Sequence, residues 1–204
     1  MITLKQVENE KSNRSVQKEK VSKKDLEQLI LIDSLTKLPN FNYFKDVFDR
    51  KWRNAVRKQE PISLVIFDLD HLGSYNEHYG FEAGDKILKK IGEKVKSMLK
   101  RPEDFLARYE GGKFIILLPE TNMNGALQVA ESIRQGIETL QIPHSKSETS
   151  NYITTSFGVG TKIPFVWEDP FHFLKAVEQA MYSAKRGGRN QVIWSNVYMQ
   201  DDEV

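Results

Sequence analysis

The chain of 204 residues contains no cysteine. That excludes a disulfide framework and any Cys-ligated zinc site, and it fits a reducing compartment. No apolar run approaches the roughly 18–20 residues needed to cross a bilayer, so no membrane insertion is expected. Met1–Lys5 lacks the apolar core of a signal peptide, and a cytoplasmic protein is the expectation. An excess of one charge is also lacking. Thirty Lys and Arg against 28 Asp and Glu leave a net charge of +2, with both signs mixed along the chain. Bulk electrostatics therefore point to no nucleic-acid partner. The four histidines, His71, His78, His144 and His172, have no zinc-like spacing. Lys185, Arg186 and Arg189 cluster, but no aromatic stacking platform is interleaved with them.

What is present divides into four stretches. Residues 1–24 are rich in Lys, Glu, Asn and Ser and read as a flexible polar arm, with a solvated helix as the alternative. Leu26, Leu29, Ile30 and Ile32 give residues 25–32 an apolar face suited to a short lead-in helix. No sensory domain is visible ahead of it. Residues 33–196 form the globular part, and 197–204 an acidic tail.

Within the globular part, Phe41, Phe44, Phe48, Trp52 and Val56 recur at helical spacing. Ile62 to Phe67 reads as a buried strand ending at Asp68 and Asp70, followed by a polar turn. Ile87 to Leu99 repeats the helical spacing, and so does Ala126 to Ile137. Phe105–Tyr109 and Phe114–Leu118 flank a tight Glu-Gly-Gly turn, a hairpin signal. Tyr152–Gly160 reads as a strand, Phe173–Lys185 as a helix and Gln191–Trp194 as a closing strand. Alternation of this kind implies an α/β sandwich around a mixed sheet. Phe165 and Trp167, between Pro164 and Pro170, form an apolar loop for which core packing is the ordinary expectation and a partner surface the alternative.

Five segments carry a family likeness in order: Asp33-Ser34-Leu35-Thr36-Lys37-Leu38-Pro39-Asn40, Phe67-Asp68-Leu69-Asp70-His71, Asn76 with Gly84-Asp85, Arg108-Tyr109-Glu110-Gly111-Gly112-Lys113-Phe114, and Ala180 to Asn190. Together they resemble the GGDEF domains of diguanylate cyclases, a bacterial second-messenger family, from about Asp33 to Trp194. The resemblance implies the nucleotidyl-cyclase type of mixed-sheet sandwich, with helices on a central sheet and one signature β-hairpin. It implies guanine recognition at Asn76 and Asp85, phosphate contacts at Lys185 and Arg189, and a divalent metal held by Asp68, the Leu69 carbonyl and a carboxylate at position 112.

The signature departs from that pattern. Gly112 offers no side-chain ligand, and magnesium prefers hard oxygen donors. Lys113 is expected to put a cation where the metal would sit and repel it. Glu110 replaces the first glycine, a strained choice if the turn is left-handed there. Lys37 replaces a glycine in the entry motif, and Gly73 replaces a phosphate-steadying Lys. The resemblance therefore implies a degenerate signature over Glu110, Gly111, Gly112, Lys113 and Phe114. No catalytic residue and no required cofactor are expected, and Mg²⁺ enters only if residual GTP binding survives at Asp68, Asn76, Asp85, Lys185 and Arg189. For the retained residues the bland reading is structural, with Asp85 capping the Ile87 helix and Asn76 holding a turn.

Upstream, Arg101-Pro102-Glu103-Asp104 keeps the Arg-x-x-Asp spacing and register of the family's regulatory site for cyclic di-GMP. Arginine's planar fork suits a phosphate or the Hoogsteen edge of guanine, and aspartate accepts from guanine N1 and N2. Relatives often add an arginine from the helix here running through Ser132, and Arg134 is the candidate substitute. A helix stop followed by a local turn at Asp104 is the structural alternative. A cyclic di-GMP receptor acting through an unidentified protein partner, with homodimer formation on ligand binding, is the expectation. A weak cyclase or GTP-binding regulator and a ligand-independent scaffold are the alternatives.

Overall fold

The structure, a computed structural model, describes residues 31–195. The polar arm over 1–24, most of the lead-in helix and the acidic tail lie outside the described residues. Ile62–Leu69 (β1) is apolar at nearly every position, the pattern of a strand covered on both faces, and it takes the centre of the sheet. Around it lie α1 (Phe41–Lys58), α2 (Leu72–Tyr79), α3 (Phe81–Met98), β2 (Phe105–Glu110), β3 (Lys113–Pro119), α4 (Met123–Glu138), β4 (Thr155–Lys162), α5 (Pro170–Arg186) and β5 (Val192–Trp194). The strand order is β2-β3-β1-β4-β5, antiparallel except for the parallel β4–β5 pair.

Each face of the sheet has its own core. On one, α3 and α4 cover Phe67, Phe114 and Phe157, whose rings stack at 5.1 and 4.8 Å. On the other, α1 and α5 cover Ile62, Leu64, Ile66 and Ile115. Caps start the helices where the sequence offers them: Asn40 accepts from the Tyr43 amide, Asn122 from Gly125 and Asp169 from Phe171. A Cβ on Gly158 would lie 2.2 Å from the Val177 carbonyl, so the bare backbone there lets α5 settle onto β4.

Three local expectations are corrected. The stretch after Asp70 is a helix, α2, whose eight residues bury only Tyr75 and so carry no readable apolar period. Asp85 lies exposed inside α3, one turn beyond its start, and caps nothing; Gly80 stands at the cap without a side-chain bond. Phe165 and Trp167 do not enter the core. The loop that carries the chain from β4 to α5 projects them outward, with Trp167 77 % exposed and its ring stacked on Phe165 at 5.1 Å. The left-handed Lys37 (φ +58°) explains why a glycine suits that place.

Candidate functional site

Two candidate sites lie at opposite ends of β1. At the Leu69 end the β2–β3 turn puts Gly111 in the left-handed region (φ +50°), while Glu110 stays in the strand opposite Lys113. Glu110 therefore carries no left-handed strain. Register places Lys113 directly across from Asp68, and both face α5. There Glu178, Tyr182 and Lys185 form one stripe at spacings of four and three.

The stripe sorts the charges. Lys113 Nζ donates to Glu110 at 2.7 Å, Glu178 at 3.0 Å and the Tyr182 hydroxyl at 3.0 Å. Burial works against the Lys113 charge, but its hydrogen bonds to Glu110, Tyr182 and Glu178 overcome it and hold its pKa above the ordinary lysine value. Lys113 thus turns away from the expected metal position, a correction to the sequence reading. The cation at that position is Lys185, whose Nζ lies 2.8 Å from Asp68 Oδ2 and 3.0 Å from the Leu69 carbonyl. Burial raises the Asp68 pKa, with the charge of Lys185 opposing it.

A divalent metal does not fit this donor set. Two of the three implied ligands are already bonded by an ammonium group, and Gly112 supplies none. A Cβ at Gly112 would sit 2.4 Å from Asp68 Oδ1, so even alanine requires that carboxylate to move.

Around this end Asn76 of α2 lies against the backbone of α3, where a Cβ on Gly84 would meet Asn76 Oδ1 at 1.9 Å. Asn76 Oδ1 is buried without a partner, and so are Nε and Nη1 of Arg108. Arg108 donates to the Gly111 carbonyl and lies over the Phe114 ring, and burial lowers its pKa against the pull of Asp33, Asp68 and Asp85. Arg189 and Asn190 are both left-handed (φ +63° and +45°). Buried Asp70 holds them by accepting from the Asn190 amide at 3.1 Å, and it also binds Thr154 at 2.9 Å and Ser156 at 2.7 Å. Burial lowers the His71 pKa, and the charge of Arg189 adds to the shift.

At the Ile62 end, α3 stops at Met98 and a turn brings Arg101 over the end of β3. Arg101 Nη1 donates to Thr121 Oγ1 at 2.6 Å and Nη2 to the Pro119 carbonyl at 2.9 Å. Asp104 lies 3.9 Å from Arg101 Nε, and its side chain is 4 % exposed. Its Oδ1 has no hydrogen-bond partner, and burial raises its pKa against the charge of Arg101. Both residues line a cleft of about 270 Å³ with Met98, Gln128, Val129 and Ser132. Arg134 is not brought to it: Glu131 at 2.7 Å, Glu138 at 3.2 Å and Asn190 at 2.7 Å hold its guanidinium elsewhere. Behind the cleft a row of hydroxyls crosses the sheet, from Thr121 through Ser63 Oγ, 2.7 Å from the Thr121 carbonyl, to Thr161 Oγ1 at 2.6 Å.

Sequence reasoning placed Asp70, Arg108 and Tyr182 in their motifs without giving them a role, and it passed over Glu178 and Thr121. The four-and-three spacing that ends at Lys185 was the signal for Glu178 and Tyr182. Thr121 had none, since only the fold places it under Arg101.

Comparison with known proteins agrees with this fold. Residues 30–191 match the family described as diguanylate cyclase, GGDEF domain. The diguanylate cyclase DosC of Escherichia coli K12 is 33 % identical over 164 residues, covering 80 % of this chain and 35 % of DosC. The response regulator PleD of Caulobacter vibrioides is 28 % identical over 166 residues, 81 % of this chain and 36 % of PleD. The chain thus spans about a third of the length of these curated relatives. The coiled coil and GGDEF domain of DgcB from Caulobacter crescentus, solved with c-di-GMP, superposes with a TM-score of 0.75 at 25 % identity, over 93 % of this chain and 95 % of that one. The diguanylate cyclase SiaD of Pseudomonas aeruginosa, solved with its activator SiaC, gives 0.71 at 25 % identity, over 93 % and 73 %.

Proposed function

This chain belongs to the GGDEF family of diguanylate cyclase domains, and from there we propose that it is a non-catalytic member that binds cyclic di-GMP in the Arg101–Asp104 cleft and signals through another protein. The observation that carries the reading is the Asp104 carboxylate. It is buried beside a cleft with Oδ1, 3.9 Å from Arg101 Nε, accepting no hydrogen bond, a costly arrangement unless a donor arrives. Guanine N1–H and N2–H are such donors, and Arg101 beside them supplies the planar cation. Related DgcB was solved with cyclic di-GMP, and SiaD with a protein activator, which supports a ligand and a partner of these kinds.

Loss of turnover rests on the other end of β1. Phosphoryl transfer between two GTP molecules needs metal to offset developing charge. Here the Lys185 ammonium takes up the Asp68 and Leu69 oxygens, and Lys113 ties the signature turn to α5. These residues tie the turn to α5 and can meet a phosphate, while the oxygens a metal would need are bonded to an ammonium group.

Calorimetric titration of cyclic di-GMP into the wild type and Asp104→Asn tests the binding, with GTP plus Mg²⁺ as a separate titrant. Saturable binding weakened in the variant is the expected result. No heat from cyclic di-GMP overturns the receptor reading.

A further inference from the structure

We infer that the Arg101–Asp104 cleft is a single-base site. It reads one guanine and leaves the rest of the nucleotide in solvent, so linear guanine nucleotides compete with cyclic di-GMP for it. The inference rests on the receptor reading above and extends it from one ligand to a ligand class.

Size is the first constraint. The cleft holds about 270 Å³. Pockets that enclose a drug-sized ligand run from roughly 300 to 1,000 Å³, and cyclic di-GMP carries two guanosines and two phosphates. One flat base fits, and a second stacked on it does not. The apolar surface suits the face of a ring: Met98 and Leu99 where α3 ends, and Val129 on α4. Met98 is seated where α3 and α4 meet, because a Cβ on Gly136 would lie 2.6 Å from its sulfur.

The polar groups match one base edge. Asp104 Oδ1 is buried and accepts no hydrogen bond, as N1–H and N2–H of guanine require. Guanine also presents O6 and N7 as acceptors. On α4, Gln128 and Ser132 line the cleft one turn apart, both exposed and neither hydrogen-bonded among the described residues. Adenine offers neither N1–H nor a 2-amino group, so it leaves the buried carboxylate unsatisfied.

Charge for phosphates is what the cleft lacks. The two terminal nitrogens of Arg101 are spent on Thr121 and Pro119, and Nε stands 3.9 Å from Asp104 Oδ1. Hydrogen bonds from Lys51 and Lys58 lower the pKa of Glu103 and Glu120, and the charge of Arg101 adds to both shifts. Three carboxylates therefore share one guanidinium. Lys100, the other cation on the cleft, donates to the Ser97 carbonyl at 2.8 Å. Ser132 brings no charge, and Arg134 is held elsewhere. A cation already balanced in this way adds little net attraction for a phosphate. The binding energy then comes from the base, which cyclic di-GMP shares with any guanine mononucleotide.

Calorimetric titration of the full chain in EDTA tests this, with cyclic di-GMP, guanosine 5′-monophosphate and adenosine 5′-monophosphate as separate titrants. One cyclic di-GMP per chain is expected. The guanosine monophosphate should bind within about tenfold of its affinity and displace it. The adenosine monophosphate should bind at least about tenfold more weakly. Asp104→Asn should weaken both guanine ligands by the same factor. Gln128→Ala should weaken both by about 2- to 10-fold without lowering the Tm, since Gln128 bonds nothing in the unliganded protein. Cyclic di-GMP that binds but resists displacement by excess guanosine monophosphate overturns this inference and leaves the receptor reading standing. Uptake of two cyclic di-GMP molecules per chain does the same. A wild type that binds neither guanine nucleotide overturns both.

Discussion

Asp104→Asn should stabilise the unliganded protein while it weakens cyclic di-GMP binding, a pairing that a structural aspartate does not produce. The side chain is 4 % exposed, and Oδ1 accepts no hydrogen bond. Leaving a buried acceptor unsatisfied costs about 1–3 kcal/mol, and more when it is charged. The opposing attraction comes from an Arg101 side chain that is 46 % exposed and 3.9 Å away, so water screens it. Asparagine keeps the shape and removes the charge. A gain of about 1 kcal/mol at pH 7 is expected, or a Tm higher by roughly 2–4 °C in a domain of this size. The pH dependence fixes the sign. Burial raises the folded-state pKa of Asp104 above its unfolded value, so the folded state binds the proton more tightly. Wild-type stability from this group then falls as pH rises through the folded pKa, and the advantage of Asp104→Asn disappears below the unfolded value of about 4. Losing a charge-assisted contact to guanine should weaken cyclic di-GMP about 10- to 100-fold. Thermal melts from pH 4 to 8, beside calorimetry, measure both. An Asp104→Asn protein less stable than the wild type at pH 7 refutes the reasoning and makes the carboxylate a member of its own turn.

Arg101→Ala is a poorer probe, because it also removes the bonds to Thr121 and Pro119; a loss of about 1 kcal/mol in chemical denaturation is expected even without ligand. Lys113→Ala should cost about 1–2 kcal/mol by stranding Glu178, and Lys113→Ala with Glu178→Ala should recover part of it in a double-mutant cycle. The wild type incubated with GTP and Mg²⁺ should yield no cyclic di-GMP by chromatography. Gly112→Asp should also yield none and should melt lower, because its Cβ crowds Asp68; product from either protein contradicts the inactive assignment. Asp70→Ala should lower stability by about 3 kcal/mol or more, read as a sharply lower Tm, since it abandons two hydroxyls and the Asn190 amide together.

The sheet and four of its helices were legible because their apolar residues repeat over enough turns or strands to declare a period. α2 was not, since one buried tyrosine in eight residues leaves nothing to repeat. The register of Arg101 and Asp104 before the signature marked a cleft that the fold does form, yet Arg134 was misplaced. Its direction is set by Glu131 and Glu138 on its own helix and by Asn190, a residue 56 positions away. The roles of the two lysines were exchanged for a similar reason. Position in the motif put Lys113 near the metal, whereas the stripe on α5 decides which ammonium reaches Asp68.

The row of hydroxyls behind the cleft can run in one direction only. Ser63 has a single hydroxyl proton, and the Thr121 carbonyl can do nothing but accept it. Thr161 must then give its own proton to Ser63, while the Thr121 hydroxyl gives its proton to Pro119 and takes one from Arg101. No rotor in the row is free to reverse. Were Arg101 to leave for a ligand it would strand no acceptor that lacks a proton, because the Pro119 carbonyl keeps the one from Thr121 and the Thr121 hydroxyl keeps its own. Lone pairs are cheaper to abandon than N–H or O–H groups. None of the bonds from Thr121 through Ser63 to Thr161 is made by the arginine, so Arg101 is the member whose loss would leave the rest of the row intact.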